Sequence, residues 1–214
     1  MGEPSSPDRR LVLLVNLLGL LCLSALLWLR VAPTEEMWFF SDDFTYITWV
    51  VQHIGDPLDA LTASLFHHIR PATLWAWMLS MTLSDGGWWG PYGALQWGVI
   101  ASVFGAGAFA WALTESRRSA WLAAALLTGE VTASALLEWS SWMNVALETA
   151  MTLWGLALGT VALRRRHIGW LVASALLLGA AGLFKEPGWL VGPITLLAVC
   201  LLYTSDAADE VVGV

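Results

Sequence analysis

Long apolar stretches alternate with short polar segments along most of the chain. Each stretch approaches the roughly 20 residues that a helix needs to cross a bilayer. We predict membrane-spanning helices over residues 11–31, 92–113, 119–137, 143–163, 168–184 and 188–203. The pattern therefore predicts an all-α, polytopic transmembrane protein.

A further apolar stretch, residues 71–83, is short for a membrane-spanning helix. The positions of the arginines indicate whether it crosses the membrane. Three clusters hold seven of the ten basic residues: Arg9–Arg10, Arg117–Arg118 and Arg164–Arg166. With six spans, all three clusters fall on one side, which the preference of Lys and Arg for cytoplasmic loops makes the cytoplasm. Counting 71–83 as a span would separate them. We therefore expect a cytoplasmic N-terminus and a first outer loop at about 32–91, in which 71–83 forms an interfacial or re-entrant helix.

Composition agrees with a membrane protein, since 57% of the residues are hydrophobic, 13% are charged and 15 are tryptophan, a residue that collects at membrane interfaces. The first apolar stretch is longer than the core of a signal peptide, so we interpret it as a retained anchor. Cys22 and Cys200 indicate neither a disulfide framework nor a metal site. The chain has no phosphate-binding glycine loop or zinc-ligand spacing, and nothing in it suggests a nucleic-acid partner.

The first outer loop contains two amphipathic patterns. Phe44, Ile47, Val51 and Ile54 recur at helical spacing. Residues 56–59, Asp-Pro-Leu-Asp, have the character of a second helix start, and this helix would end at His67-His68-Ile69-Arg70-Pro71. We expect two short helices lying flat on the outer leaflet.

Two groups of polar residues in this loop have the character of a reactive site. Asp42 and Asp43 could supply a carboxylate that accepts a proton, or they could simply favour the first turn of a helix. Arg70, with His67 and His68 before it, could bind a phosphate, although an interfacial arginine often only extends towards lipid headgroups.

Other charged residues lie in or beside later spans. Lys185 and Glu186 follow the fifth span and could belong to the site or form an ordinary ion pair. Glu130 and Glu148 lie within spans, where acids usually face the bundle interior or a wet cavity. A protonated or hydrogen-bonded structural role is the alternative for both.

In their order along the chain, these motifs resemble a known family. An acidic pair after one span is followed by Arg70-Pro71-Ala72, then by Glu138-Trp139-Ser140-Ser141-Trp142 and Leu183-Phe184-Lys185-Glu186-Pro187. This order is similar to that of the GT-C glycosyltransferases of the protein O-mannosyltransferase kind. It is closest to bacterial membrane enzymes related to the tetratricopeptide-containing transmembrane O-mannosyltransferases. Members of that branch have Arg-Pro-Leu where this chain has Ala72.

The resemblance, over about residues 10–199, implies a GT-C-type helical bundle in the bacterial inner membrane. It implies transfer of a sugar from a polyprenyl-phosphate carrier to an acceptor protein or glycan on the outer face. Asp42 would be the catalytic base and Asp43 would assist it. The substrate-binding residues would be His67, His68, Arg70, Lys185 and Glu186, with Arg70 and Lys185 on the carrier phosphate. The resemblance leaves open whether a divalent metal takes part.

Two alternatives belong to other classes: half of a multi-span transporter, or a non-enzymatic membrane protein. A transporter should gather its polar residues near the midplane, whereas here they gather in one outer loop. Finally, residues 200–210 resemble the translation of a sequencing adapter. We therefore expect residues 1–199 to be the N-terminal transmembrane part of a longer enzyme and 200–214 to be an artefact; an acidic cytoplasmic tail is the alternative.

Overall fold

A computed structural model describes residues 9–31, 39, 42–56, 58, 62, 64–65, 68–133, 140–185, 194 and 197. These residues are almost entirely helical. The helices are α1 (Arg9–Val31), α2 (Asp42–His53), α3 (Pro71–Leu83), α4 (Trp89–Thr114), α5 (Arg117–Ala133), α6 (Met143–Arg165) and α7 (Ile168–Phe184). A 3-10 turn (Ser140–Trp142) and two short strands, β1 (Ser64–Leu65) and β2 (His68–Ile69), complete the description.

The predicted all-α class is confirmed for the described part of the chain. Helices α1, α4, α6 and α7 lie within about three residues of their predicted bounds, and α5 begins two residues earlier than predicted. Among the described residues, α4 and α6 are long and apolar enough to cross a membrane, and α7 is a shorter apolar helix. Most of the predicted stretch 188–203 and all of the predicted tail 200–214 lie outside the described residues.

Helices α4 and α6 run parallel and in close contact. A Cβ atom built on Gly98 would lie 2.9 Å from the Cβ of Ala146, and one on Gly105 would lie 3.1 Å from Trp154. The Trp154 indole N–H donates to the carbonyl oxygen of Ala101 at 3.0 Å. Residues later in α4 contact residues later in α6, so the two helices are parallel. Because glycine has no side chain, the two backbones can approach closely at these positions.

The other helices pack around this pair. Helix α7 runs antiparallel to α6, because only two residues connect Arg165 at the end of α6 to Ile168 at the start of α7. The two helices are in contact, since Ser174 Oγ donates to the Gly155 carbonyl at 2.7 Å and Leu178 lies over the same glycine. Helix α1 lies along α5, where the Trp121 indole N–H donates to Asn16 Oδ1 at 3.2 Å.

One end of the bundle carries the three arginine clusters, and we call it the arginine end. Arg164 Nη1 lies 2.8 Å from Glu115 Oε1, and Arg164 Nη2 donates to the Leu113 carbonyl at 2.6 Å. The C-termini of α4 and α6 therefore lie together, next to Arg117 at the start of α5. Helix α1 begins at the same end, since Leu13 and Arg117 line one groove. All three arginine clusters thus belong to one end of the bundle, as the sequence predicted.

Helices α2 and α3 pack at the opposite end, which we call the loop end. Leu74 and Trp77 of α3 are completely buried, and α2 contributes buried aromatic side chains. In the apolar pattern predicted for α2, Ile47 packs against the core, whereas Phe44 is 54% exposed and Val51 is 67% exposed on the outer side. The aromatic side of α2 faces inward because aromatic rings pack against the indole ring of Trp77 better than aliphatic side chains do.

The predicted second helix of the outer loop is wrong at residues 64–65 and 68–69, which are the part of its second half that the structure describes as regular elements. Asp56 Oδ1 does accept the Leu58 backbone N–H at 3.1 Å, the local bond expected of a helix start. Further along, the described residues form a short strand pair, in which Ser64 and Leu65 pair antiparallel with Ile69 and His68. Short helices of this composition have little intrinsic stability, so strand pairing can replace them.

Arg70 consequently does not end a helix. It is the residue before α3, and Pro71 occupies the first helical position, where its fixed φ suits the helix. Helix α3 has the bounds predicted for the short apolar stretch, Pro71–Leu83.

Candidate functional site

Tyr46 lies at the centre of a polar cluster at the loop end. Its side chain is only 4% exposed. The ring stacks on Trp77 with 5.1 Å between centroids and 5° between planes, and it is tilted against Trp49 at 6.3 Å. The aromatic contacts fix the ring, so the position of the hydroxyl is determined by packing rather than by solvent.

Groups from two other parts of the chain reach the Tyr46 hydroxyl. The Arg70 guanidinium forms a hydrogen bond with it. Asn144 Nδ2, at the start of α6, donates to the same oxygen at 3.5 Å, the long limit of a hydrogen bond. One phenol thereby links α2 to the beginnings of α3 and α6.

The charges around Tyr46 have opposing effects on its pKa. Burial raises the pKa of the phenol, Arg70 lowers it, and the carboxylates of Asp42 and Asp43 raise it; the net direction is upward from the usual value of 10.0. The phenol therefore stays protonated at neutral pH. It can accept bonds from Arg70 while keeping a proton to donate.

The acidic pair occupies the first turn of α2, where carboxylates favour the helix dipole. The two acids differ in environment, since Asp43 is completely buried and Asp42 is half-buried. Asp42 is therefore the carboxylate that a molecule at the loop end reaches more easily.

Lys185 lies on the neighbouring edge of this cluster. It follows the last residue of α7, and its Nζ lies 5.8 Å from the centre of the Trp142 ring. Thr73 of α3 donates to the carbonyl oxygen of Phe184 at 2.9 Å, which holds the end of α7 against α3. The residue after α7 is thereby held beside the helix that Arg70 precedes.

The structure therefore brings Asp42, Asp43 and Arg70 together around Tyr46 and places Lys185 on an adjoining element. The backbone of His68 pairs with that of Leu65 in the two-strand ladder. His67 and Glu186 lie outside the described residues.

The two acids within predicted spans are not equivalent. Glu130 is exposed near the end of α5. Glu148 is half-buried in the second turn of α6.

Sequence reasoning missed Tyr46 and Asn144. Tyr46 follows Asp43 by three residues and so shares a helix face with it. Asn144 is an amide at the start of a largely apolar helix. Both signals are visible in the sequence, but neither identifies the partner across the bundle.

The cluster combines a partly accessible carboxylate, an arginine and a neutral phenol. Such a set can accept a proton from a nucleophile and bind an anion. Within the described part of the chain, no group of three His, Cys, Asp or Glu side chains has an arrangement that could hold a metal ion. No protein-family model, no curated protein and no solved structure matches this chain.

Proposed function

We propose that this chain is the membrane-embedded catalytic part of a GT-C-type glycosyltransferase. It transfers a sugar from a polyprenyl-phosphate carrier to an acceptor protein or glycan on the outer face of the bacterial inner membrane. The observation that supports this most directly is the convergence of Asp42, Asp43 and Arg70 on Tyr46 at the loop end. These are the residues whose order in the sequence resembles that family.

The proposed topology is multi-pass, with the arginine end in the cytoplasm. On α4, Trp89 and Trp111 are both exposed and lie 22 positions apart. That separation corresponds to about 33 Å of helix, close to the roughly 30 Å of a bilayer's hydrocarbon core. Tryptophans at both interfaces are typical of membrane proteins, and basic residues favour the cytoplasmic side.

Asp42 is the proposed catalytic base. Its carboxylate accepts the proton of the acceptor's hydroxyl group while that oxygen forms a bond to the anomeric carbon of the sugar. The bond from the anomeric carbon to the phosphate oxygen breaks, the configuration inverts, and polyprenyl phosphate leaves with the bonding electrons. Asp43, which is completely buried, assists by its position beside Asp42.

Arg70 and Lys185 are the proposed binding groups for the carrier phosphate. An arginine presents two parallel N–H donors to a phosphate, and such charge-assisted bonds are strong. They also stabilise the charge that develops on the leaving phosphate. His67, His68 and Glu186 are the remaining proposed substrate-binding residues.

The test is sugar transfer by the purified protein in vesicles, with polyprenyl phosphate mannose as donor and detection of labelled product. Asp42→Asn keeps the side-chain shape but removes the base, so we expect transfer to fall about 100-fold or more. Asp56→Asn is the matched control, because Asp56 is exposed on the same outer loop; it should transfer normally. Near-normal turnover in Asp42→Asn would mean that the acidic pair only begins α2.

A further inference from the structure

A groove runs between α1 and α5 near the arginine end, away from the Tyr46 cluster. Its volume is about 380 Å³ and it is open to the outside. Its apolar walls and one charged end are formed by Leu13, Leu17, Leu20, Ala120, Trp121 and Arg117. The leucines remain well exposed, with Leu13 at 60%. Among the described residues that line it, the groove is therefore an apolar channel with Arg117 as the cation at one end.

Trp121 joins the two helices at this groove. Its indole N–H is already bonded to Asn16 Oδ1 at 3.2 Å. Its ring packs against Gly19, where a built Cβ atom would lie only 3.1 Å from the ring. Because the indole N–H is satisfied within the protein, what the groove offers to a ligand is apolar surface.

The charge at the end of the groove is not neutralised within the described part of the chain. Glu115, two residues before Arg117, is paired with Arg164 at 2.8 Å. Arg117 and Arg118 are both exposed, and none of the ion pairs among the described residues involves them. An anionic group at the end of the groove would therefore meet uncompensated positive charge.

We propose that this groove binds an anionic phospholipid from the leaflet at the arginine end. The lipid phosphate contacts the Arg117 guanidinium, and one acyl chain lies along the leucines of α1. Basic residues near a membrane surface attract anionic lipids, and the arginine fork matches a phosphate. The inference goes beyond sugar transfer, since it requires only that the protein lies in a membrane.

Charge favours a lipid over a second copy of the chain. Two copies side by side in one membrane would have their arginine ends at the same level. Arg117 and Arg118 of each copy would then approach like charges across the interface, which is unfavourable. An anionic lipid has the complementary charge and an apolar tail.

The experiment measures lipid binding and assembly state together. The protein is purified, supplied with phosphatidylglycerol or phosphatidylcholine, and analysed by native mass spectrometry. Its unfolding temperature is measured in phosphatidylcholine vesicles with and without phosphatidylglycerol. The anionic lipid makes up about 30 mol%, which gives the vesicle surface a negative charge. We expect retained phosphatidylglycerol and a stabilisation that phosphatidylcholine alone does not produce.

Variants locate the lipid. Arg117→Gln should weaken phosphatidylglycerol binding at least about tenfold, and Arg117→Lys should weaken it less. Arg165→Gln is the matched control, since it removes one exposed arginine from the same end at the last residue of α6. Ala120→Leu should obstruct the acyl chain and also reduce binding. The unfolding temperature in phosphatidylcholine alone shows that each variant is folded.

Three results would overturn the proposal. Equal losses in Arg117→Gln and Arg165→Gln would indicate general attraction to a basic surface. Full binding by Ala120→Leu would show that the groove holds no acyl chain. A dimer that dissociates in Arg117→Gln, with no retained lipid, would show that a second copy occupies the groove.

Discussion

Replacing Tyr46 with phenylalanine removes one hydroxyl from the centre of the cluster and leaves the ring in place. The ring would keep its burial and its 5.1 Å stacking on Trp77. The lost interactions are the hydrogen bond from Arg70 and the long 3.5 Å contact from Asn144. The variant thus tests whether the phenol joins three helices energetically as well as geometrically.

The expected magnitude follows from those two bonds. A hydrogen bond that involves a charged group contributes about 1.5–3 kcal/mol, and a bond at 3.5 Å contributes little. The apolar burial does not change, so we expect a loss of about 1.5–3 kcal/mol in the free energy of unfolding. In a protein of this size, each kcal/mol corresponds to about 2–4 °C in the melting temperature.

The assay is thermal unfolding in detergent, followed by tryptophan fluorescence. Thr48→Val is the matched control, because it removes an exposed hydroxyl from the same helix. That hydroxyl donates to the carbonyl oxygen of Phe44 within α2, so its loss should change the free energy of unfolding by less than about 0.5 kcal/mol. A double-mutant cycle with Arg70→Ala isolates the interaction between the two side chains. We expect a coupling energy of about 1 kcal/mol or more.

The reasoning would be refuted by two results together. The first is a Tyr46→Phe melting temperature equal to that of Thr48→Val. The second is strict additivity with Arg70→Ala. The cluster would then be an arrangement of neighbours without mutual stabilisation.

The remaining predictions concern packing, pH and topology. Gly98→Val should destabilise the protein by about 1–3 kcal/mol, because a Cβ at position 98 would lie 2.9 Å from the Cβ of Ala146. Gly93→Ala on the same helix is the control, since a Cβ there meets nothing within 4 Å. Thermal unfolding compares the two variants, and equal stability would contradict the close approach of α4 and α6. Burial raises the pKa of Tyr46, so its protonated form stabilises the fold below pH 10 and this stabilisation is lost as pH rises above about 10. Wild type should therefore lose more stability than Tyr46→Phe between pH 9 and about 11, and parallel curves would argue against it. In a cysteine-free background, an impermeant thiol reagent added outside should label Asp56→Cys and not Arg165→Cys; the reverse pattern would invert the proposed topology.

The sequence by itself determined the bounds of the long apolar helices and which of their ends lie together. Long runs of Leu and Ala can satisfy their backbone hydrogen bonds and bury their side chains only as helices in an apolar environment. That constraint is local, which is why the bounds of α4 and α6 agree with the apolar stretches. The alternation of arginine clusters with apolar helices likewise follows from chain order, and the Arg164–Glu115 pair shows two of those helix ends in contact.

Only the tertiary structure decided how the candidate site is assembled. Helical periodicity shows that Asp43 and Tyr46 share a face, but both faces of α2 carry large apolar side chains, so the pattern does not indicate which one is buried. The buried face is the one with Tyr46, because the Tyr46 ring stacks on the flat indole ring of Trp77. The strand pairing before Arg70 and the approach of Asn144, 98 positions from Tyr46, depend on contacts between distant segments. Such contacts depend on packing and hydrogen bonding across the bundle, and local residue patterns do not predict them.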